Sequence, residues 1–83
     1  MNTYTAGNYV TYINKAWIVS DIAAYWTYLV NPVTGEKDSV RTCHGEDSPI
    51  KLIDLPKCEK VWHNRAWMWK TLKGHLVYHR MAN

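Results

Sequence analysis

Short runs of β-branched and aromatic residues, separated by tight turn signals, are the feature that most constrains the fold of this chain. Such side chains favour strands because they pack well on a pleated surface. Turns are indicated by Asn14-Lys15, by NPVTGEK at 31–37 and by HGEDSP at 44–49. The pattern predicts five strands, at 9–13, 16–22, 25–30, 38–43 and 50–54. Five short strands joined by such turns indicate a small barrel or a strongly bent antiparallel sheet.

The length of 83 residues predicts a single domain, and a chain of this size buries only about 60% of its unfolded surface. The aromatic residues are five Trp and six Tyr, with no Phe. Because Trp and Tyr join an apolar body to a polar group, they often lie at the margin of a core or at an interface. Much of the aromatic surface is therefore expected to be partly exposed.

Residues 7–54 resemble the SH3-like small barrels, the class that includes KOW and Tudor domains. The resemblance is carried by GNYVTYINKAWIVSDI, by YWTYLVNPVTGEKDSVRT and by IKLID. It implies a binding module for RNA, DNA, ribosomal partners or peptides, and it implies that the chain is not an enzyme. Fold alone does not select among these ligands.

The C-terminal third, residues 55–83, carries helix signals and is expected to add a helix and a short strand to this body. Asp54 is a suitable cap, Pro56 is tolerated in a first turn, and Gly74 suits a helix end. Apolar side chains then recur at helical spacing, at Cys58, Trp62, Ala66 and Trp69. In this arrangement Trp62 and Trp69 cover the open side of the barrel, and Trp67 points away as a candidate contact residue.

A hairpin is the alternative for the same segment. Residues 67–72 would pair with residues 75–80 across Lys73-Gly74, with Trp69 opposite Tyr78 and Trp67 opposite Arg80. Lys-Gly is a poorer hairpin turn than Asn-Gly, so the cap signals favour the helix.

Charge is divided unevenly along the chain. Residues 1–56 hold four basic and six acidic side chains, whereas residues 57–83 hold six basic side chains and one acidic one. A basic segment that also carries an exposed Trp suits nucleic acid, because the indole stacks on a base while cations meet phosphates. The predicted contact residues for nucleic acid or another partner are Lys60, Arg65, Trp67, Lys70, Lys73 and Arg80.

Motifs for catalysis and cofactor binding are absent from the sequence, so we expect neither an enzyme nor a bound cofactor. Cys43 and Cys58 are fifteen positions apart, which argues against structural zinc even with His63, His75 and His79 nearby. No targeting segment or apolar span is recognised, so the expected location is the cytoplasm and no membrane partner is expected.

Two functions remain open. The first is a nucleic-acid-binding module that contacts the DNA or RNA backbone. The alternative is a phage-type accessory protein that binds an acidic protein surface and inhibits or redirects a larger host protein. A structural subunit that folds only within an oligomer is a third option.

Overall fold

A computed structural model describes residues 2–79, which form eight β-strands and no helix. The strands are β1 Tyr9–Tyr12, β2 Lys15–Ile22, β3 Trp26–Val30, β4 Lys37–Arg41, β5 Lys51–Leu52, β6 Glu59–His63, β7 Ala66–Lys70 and β8 Leu76–Tyr78. Every strand pair is antiparallel. β1 to β5 form a large sheet in the order β4-β3-β2-β1-β5, and the small sheet has the order β6-β7-β8. Within this part of the chain, no helix has the length and apolar character needed to cross a bilayer.

The large sheet accounts for the strands predicted in residues 7–54, but it is not closed into a barrel. Its outermost strands, β4 and β5, are not hydrogen-bonded to each other. β2 is the longest strand and carries a register shift between Val19 and Asp21. Such a bulge bends a strand, so β2 can curve around a core without the sheet closing. A closed barrel is therefore not formed, and the predicted combination of strands with a C-terminal helix is wrong, because residues 2–79 are all-β. A small domain of antiparallel strands, compatible with a barrel-like class, is confirmed.

One face of the large sheet holds the first of two cores, here called the inner core. Its buried side chains are Tyr4, Val10, Trp17, Val19, Leu29, Val40 and Ile50. The segment before β1 closes this core, because the Asn2 side-chain amide donates to the Ile50 carbonyl at 2.9 Å and its oxygen accepts from Leu52 N–H at 2.7 Å. The Tyr4 hydroxyl similarly donates to the Cys43 carbonyl at 2.9 Å.

The opposite face of the large sheet packs on the small sheet and forms the intersheet core. Its buried side chains are Tyr9, Ile18, Val30, Cys58, Trp69 and Val77. Alternation along β2 explains the two cores, since Trp17 and Val19 point to one face while Ile18 points to the other. The C-terminal third is therefore a second layer laid on the sheet.

The helix predicted in the C-terminal third is wrong, because residues 59–70 form the β6–β7 hairpin. Its turn is Asn64-Arg65, where both residues have positive φ, 50° and 65°. This is the pattern of a type I′ turn, which matches the natural twist of a hairpin. Trp62 lies on β6, Ala66 and Trp69 lie on β7, and Cys58 directly precedes β6. The helical spacing of these four residues was therefore coincidental.

The alternative hairpin does form, between β7 and β8, but its register differs from the predicted one. Trp69 lies opposite Val77, whereas the prediction placed it opposite Tyr78. Met68 is the residue opposite Tyr78. The predicted pairing of Trp67 with Arg80 falls outside the described residues.

Candidate functional site

Trp67 and Trp69 lie on the same face of β7 but have different surroundings. Trp69 is only 4% exposed, and its indole N–H donates to the Ser20 hydroxyl at 3.1 Å. Trp67 is two residues nearer the Asn64-Arg65 turn, beyond the side chains of the intersheet core, and it is 42% exposed. Trp69 is thus part of the scaffold, and Trp67 is available for contact.

Trp62 completes an exposed pair of indoles, because it is directly opposite Trp67 in the β6–β7 register. The two rings meet edge to face, with centroids 5.1 Å apart and an interplanar angle of 69°. Trp62 is 60% exposed, more than Trp67. The Lys60 ammonium lies 5.0 Å from the centroid of Trp67, on the same face of the hairpin. We call Lys60, Trp62 and Trp67 the tryptophan patch.

Arg65 is the second predicted cation that lies beside the tryptophan patch. It occupies the turn that joins β6 to β7, two residues from Trp67, and it is exposed. Its φ of 65° is in the left-handed region, which costs a non-glycine residue about 1–2 kcal/mol. A cation is therefore placed at the tip of the hairpin at some cost in stability.

The other predicted contact residues do not join this group. Lys70 is three positions from Trp67 on the same strand, so alternation places it on the opposite face of the small sheet. Lys73 lies in the turn between β7 and β8, at the far end of β7 from Arg65. There it lines an open pocket of about 240 Å³ with Tyr9 and Leu72. Arg80 lies outside the described residues.

Trp62 is an exposed candidate residue that sequence reasoning missed, because the helical pattern assigned it to the cover of a barrel. A signal was present in the sequence, since Asn64 tolerates positive φ and sits between two short runs containing Trp62 and Trp67. Reading Asn64-Arg65 as a two-residue turn would have placed the two tryptophans opposite each other.

A second exposed group of aromatic and cationic side chains lies on the large sheet. Trp26 and Tyr25 are exposed, and the Arg41 guanidinium lies 5.4 Å from the centroid of the Tyr25 ring. Trp26 pairs with Arg41 across β3 and β4 and shares the sheet face of Val30. Because Val30 belongs to the intersheet core, Trp26 extends the face on which the small sheet packs.

Burial shifts the pKa of two groups near the intersheet core, Cys58 and His79, toward their neutral forms. Burial raises the pKa of the Cys58 thiol, so this thiol is not an activated nucleophile. Burial, followed by the nearby charge of Lys60, lowers the pKa of His79 below its usual 6.5. The His79 ring lies 5.2 Å from that of Trp69, so it borders the buried side of the same sheet.

Among residues 2–79, no three side chains of the types His, Cys, Asp and Glu come together as a possible ion site.

Comparisons with known proteins do not assign the chain to a family. No protein-family model, curated protein or solved structure matches it. Function must therefore be argued from the tryptophan patch and its surroundings.

Proposed function

We propose that this protein is a non-enzymatic module that binds single-stranded DNA or RNA through the tryptophan patch. The observation that carries the proposal is the pair of exposed indoles with the Lys60 ammonium against one of them. Proteins that bind single strands combine aromatic stacking surfaces with cations that follow the phosphate backbone. Lys60 and Arg65 supply the cations, and Trp62 and Trp67 supply the stacking surfaces.

The magnitudes favour replacing the Lys60–Trp67 contact with a stacked base. An exposed cation–π contact is worth about 0.5–1 kcal/mol. Stacking a base on an aromatic side chain is worth about 1–3 kcal/mol. A base on Trp67 therefore gains more than is lost when the flexible Lys60 side chain moves away, and the released ammonium can contact a phosphate.

The angle between the two indoles limits how a strand can bind. Because the Trp62 and Trp67 rings are inclined at 69°, two bases stacked parallel to each other cannot both lie flat on them. Consecutive bases must be splayed apart, which is possible in a single strand and not in an intact duplex. We therefore expect a preference for unpaired nucleotides.

The proposal is tested by titrating tryptophan fluorescence with a single-stranded oligonucleotide and its duplex at several salt concentrations. Binding should quench the fluorescence more strongly with the single strand. With two phosphate contacts, the slope of log affinity against log salt should be about −1.4. An unchanged fluorescence at low salt would refute the proposal.

Two lysines provide a matched pair of variants for this titration. Lys60→Gln removes a cation from the tryptophan patch, whereas Lys70→Gln makes the same charge change on the opposite face of the sheet. The first variant should weaken binding and reduce the salt slope by about 0.7, and the second should leave the slope unchanged. Equal effects of the two variants would mean that binding depends on net charge alone.

A second candidate is the accessory protein that docks on an acidic surface of a larger host protein. It is favoured by the exposure of Trp62, since Trp and Arg side chains are the usual anchors of protein interfaces. A pull-down from nuclease-treated lysate separates the two candidates. Stoichiometric recovery of one protein that is lost with Trp62→Ala supports this second candidate, while loss of the captured material on nuclease treatment supports the first.

A further inference from the structure

β6 is an edge strand with part of its backbone unpaired. Among residues 2–79 its only strand neighbour is β7, so its other edge has no strand partner there. An edge strand of this kind presents N–H and C=O groups that can pair with another strand. The question is which groups are open and what sequence would fit them.

The hydrogen bonds of β7 identify the open groups. Two hydrogen bonds show which backbone groups point toward β8. The Trp67 carbonyl accepts from His79 N–H at 3.0 Å, and Thr71, directly after β7, donates its N–H to the His75 carbonyl at 2.8 Å. Since the backbone groups of successive residues in a strand point to opposite sides, Met68 must bond to β6, where its partner is Val61.

It follows that the backbone groups of Lys60 and Trp62 point away from β7. Cys58, just before β6, points its N–H to the same side, where it donates to the Gly7 carbonyl at 2.9 Å. The Cys58 N–H is therefore already paired within the chain. The open part of the edge is therefore the short segment from Lys60 to Trp62.

We propose that β6 pairs antiparallel with β6 of a second copy of this chain, about a two-fold axis at Val61. In this register Lys60 lies opposite Trp62 of the second copy, and these are the residues whose backbone groups are open. Each such pair forms two hydrogen bonds, and the axis generates the pair twice. The open backbone groups of Lys60 and Trp62 in each copy are thereby paired with those of Trp62 and Lys60 in the other.

The side chains of β6 complement themselves in the same register. The Lys60 ammonium meets the Trp62 indole of the second copy, the same type of contact that it makes with Trp67 within one chain. Glu59 lies opposite His63 of the second copy, where a protonated imidazole would pair with the carboxylate. No two like charges face each other, which is the condition that a symmetric strand pair must meet.

The edge of the large sheet at β4 lacks this property. An antiparallel pair centred on Ser39 would place Lys37 opposite Arg41 of the second copy. Like charges directly opposite each other destabilise a strand pair. This register therefore disfavours self-pairing at β4, and β4 provides a matched control.

Pairing at β6 would produce one continuous six-stranded sheet with both tryptophan patches on the same face. A two-fold axis perpendicular to that sheet keeps equivalent side chains on one face. The Trp67 side chains of both copies therefore lie on the face of the six-stranded sheet that packs against the two large sheets. The pairing does not depend on nucleic-acid binding, and either proposal can fail alone.

Amide hydrogen exchange and sedimentation, measured over a range of protein concentrations without nucleic acid, test the pairing. As the mass doubles, exchange at the N–H groups of Lys60 and Trp62 should slow by about tenfold or more. The Val61 N–H, which already bonds to β7, should be protected at every concentration. A protein that stays monomeric, or one whose mass doubles without slower exchange at Lys60 and Trp62, would overturn the proposal.

Cross-linking tests the register separately. Val61→Cys, made together with Cys43→Ser to remove a half-buried thiol, places two sulfurs at the axis. Directly opposed residues without mutual hydrogen bonds have Cα atoms about 4.5 Å apart, within the range that a disulfide spans. Ser39→Cys in the same background is the control on the β4 edge. Oxidation should join the Val61→Cys copies faster, and equal rates for the two variants would contradict the register.

Discussion

Replacing Arg65 with glycine should make the protein more stable and its nucleic-acid binding weaker. The left-handed φ of 65° at Arg65 costs about 1–2 kcal/mol, which glycine avoids. Glycine in turn adds about 0.5–1 kcal/mol of unfolded-state entropy to be lost on folding. The difference is a gain of about 0.5–1 kcal/mol, and Asn64 followed by glycine is the preferred pair for this type of turn. For a domain of this size the melting temperature should rise by about 2–8 °C.

The functional half of this prediction is measured by salt titration. If Arg65 contacts one phosphate, the Arg65→Gly slope of log affinity against log salt should be shallower by about 0.7. Thermal and urea denaturation of the same variant give the change in stability.

Ile13→Gly is the matched control, because Ile13 occupies the equivalent kind of turn between β1 and β2, with a φ of 48° and 70% exposure. It should be similarly more stable than the unmodified protein and bind nucleic acid with an unchanged slope. Two results would refute the reasoning: a loss of stability in Arg65→Gly, or the same salt slope for Arg65→Gly and Ile13→Gly.

Three further predictions concern the intersheet core. Burial lowers the pKa of His79 from 6.5, so the unfolded chain binds the proton more tightly. The free energy of unfolding should therefore be highest above about pH 6.5 and fall as the pH drops toward the folded pKa. In urea denaturation, His79→Gln should flatten this pH profile. Gly7→Ala should cost about 1–3 kcal/mol in urea denaturation, because φ is 96° and the added carbon would lie 3.2 Å from the Cys58 carbonyl oxygen and 3.3 Å from the Trp69 ring; an unchanged midpoint would argue against that packing. Trp69→Phe removes the indole bond to Ser20 and should lower the free energy of unfolding by about 1–3 kcal/mol, with a loss below 0.5 kcal/mol counting against a buried bond.

The strands of the large sheet could be predicted from sequence because local chemistry and tertiary packing agree there. Residues 16–22 are rich in β-branched and aromatic side chains, and both faces of β2 are buried, so no polar alternation was needed to identify the strand. The turn predicted before β2, Asn14-Lys15, is one residue late. Because Tyr12 lies opposite Lys15, the turn is Ile13-Asn14, and both residues have positive φ. Positive φ is disfavoured for a β-branched residue such as Ile13, so propensity rules do not predict this turn.

The helix signals of the C-terminal third were misleading because the stability of this segment comes from a contact distant in sequence. Cys58 and Trp69 have the spacing of one helical stripe, but in the structure both face the intersheet core, where the Trp69 indole donates to Ser20. The helical alternative would have left Trp67 and Trp69 about 200° apart, so that only one could be buried. In the strand, Trp67 and Trp69 share one face of β7. The large sheet covers Trp69 and does not cover Trp67, which lies nearer the hairpin turn. The same geometry that fixes the scaffold therefore leaves the candidate site exposed, and the exposure of Trp67 was predicted for a reason that the structure overturns.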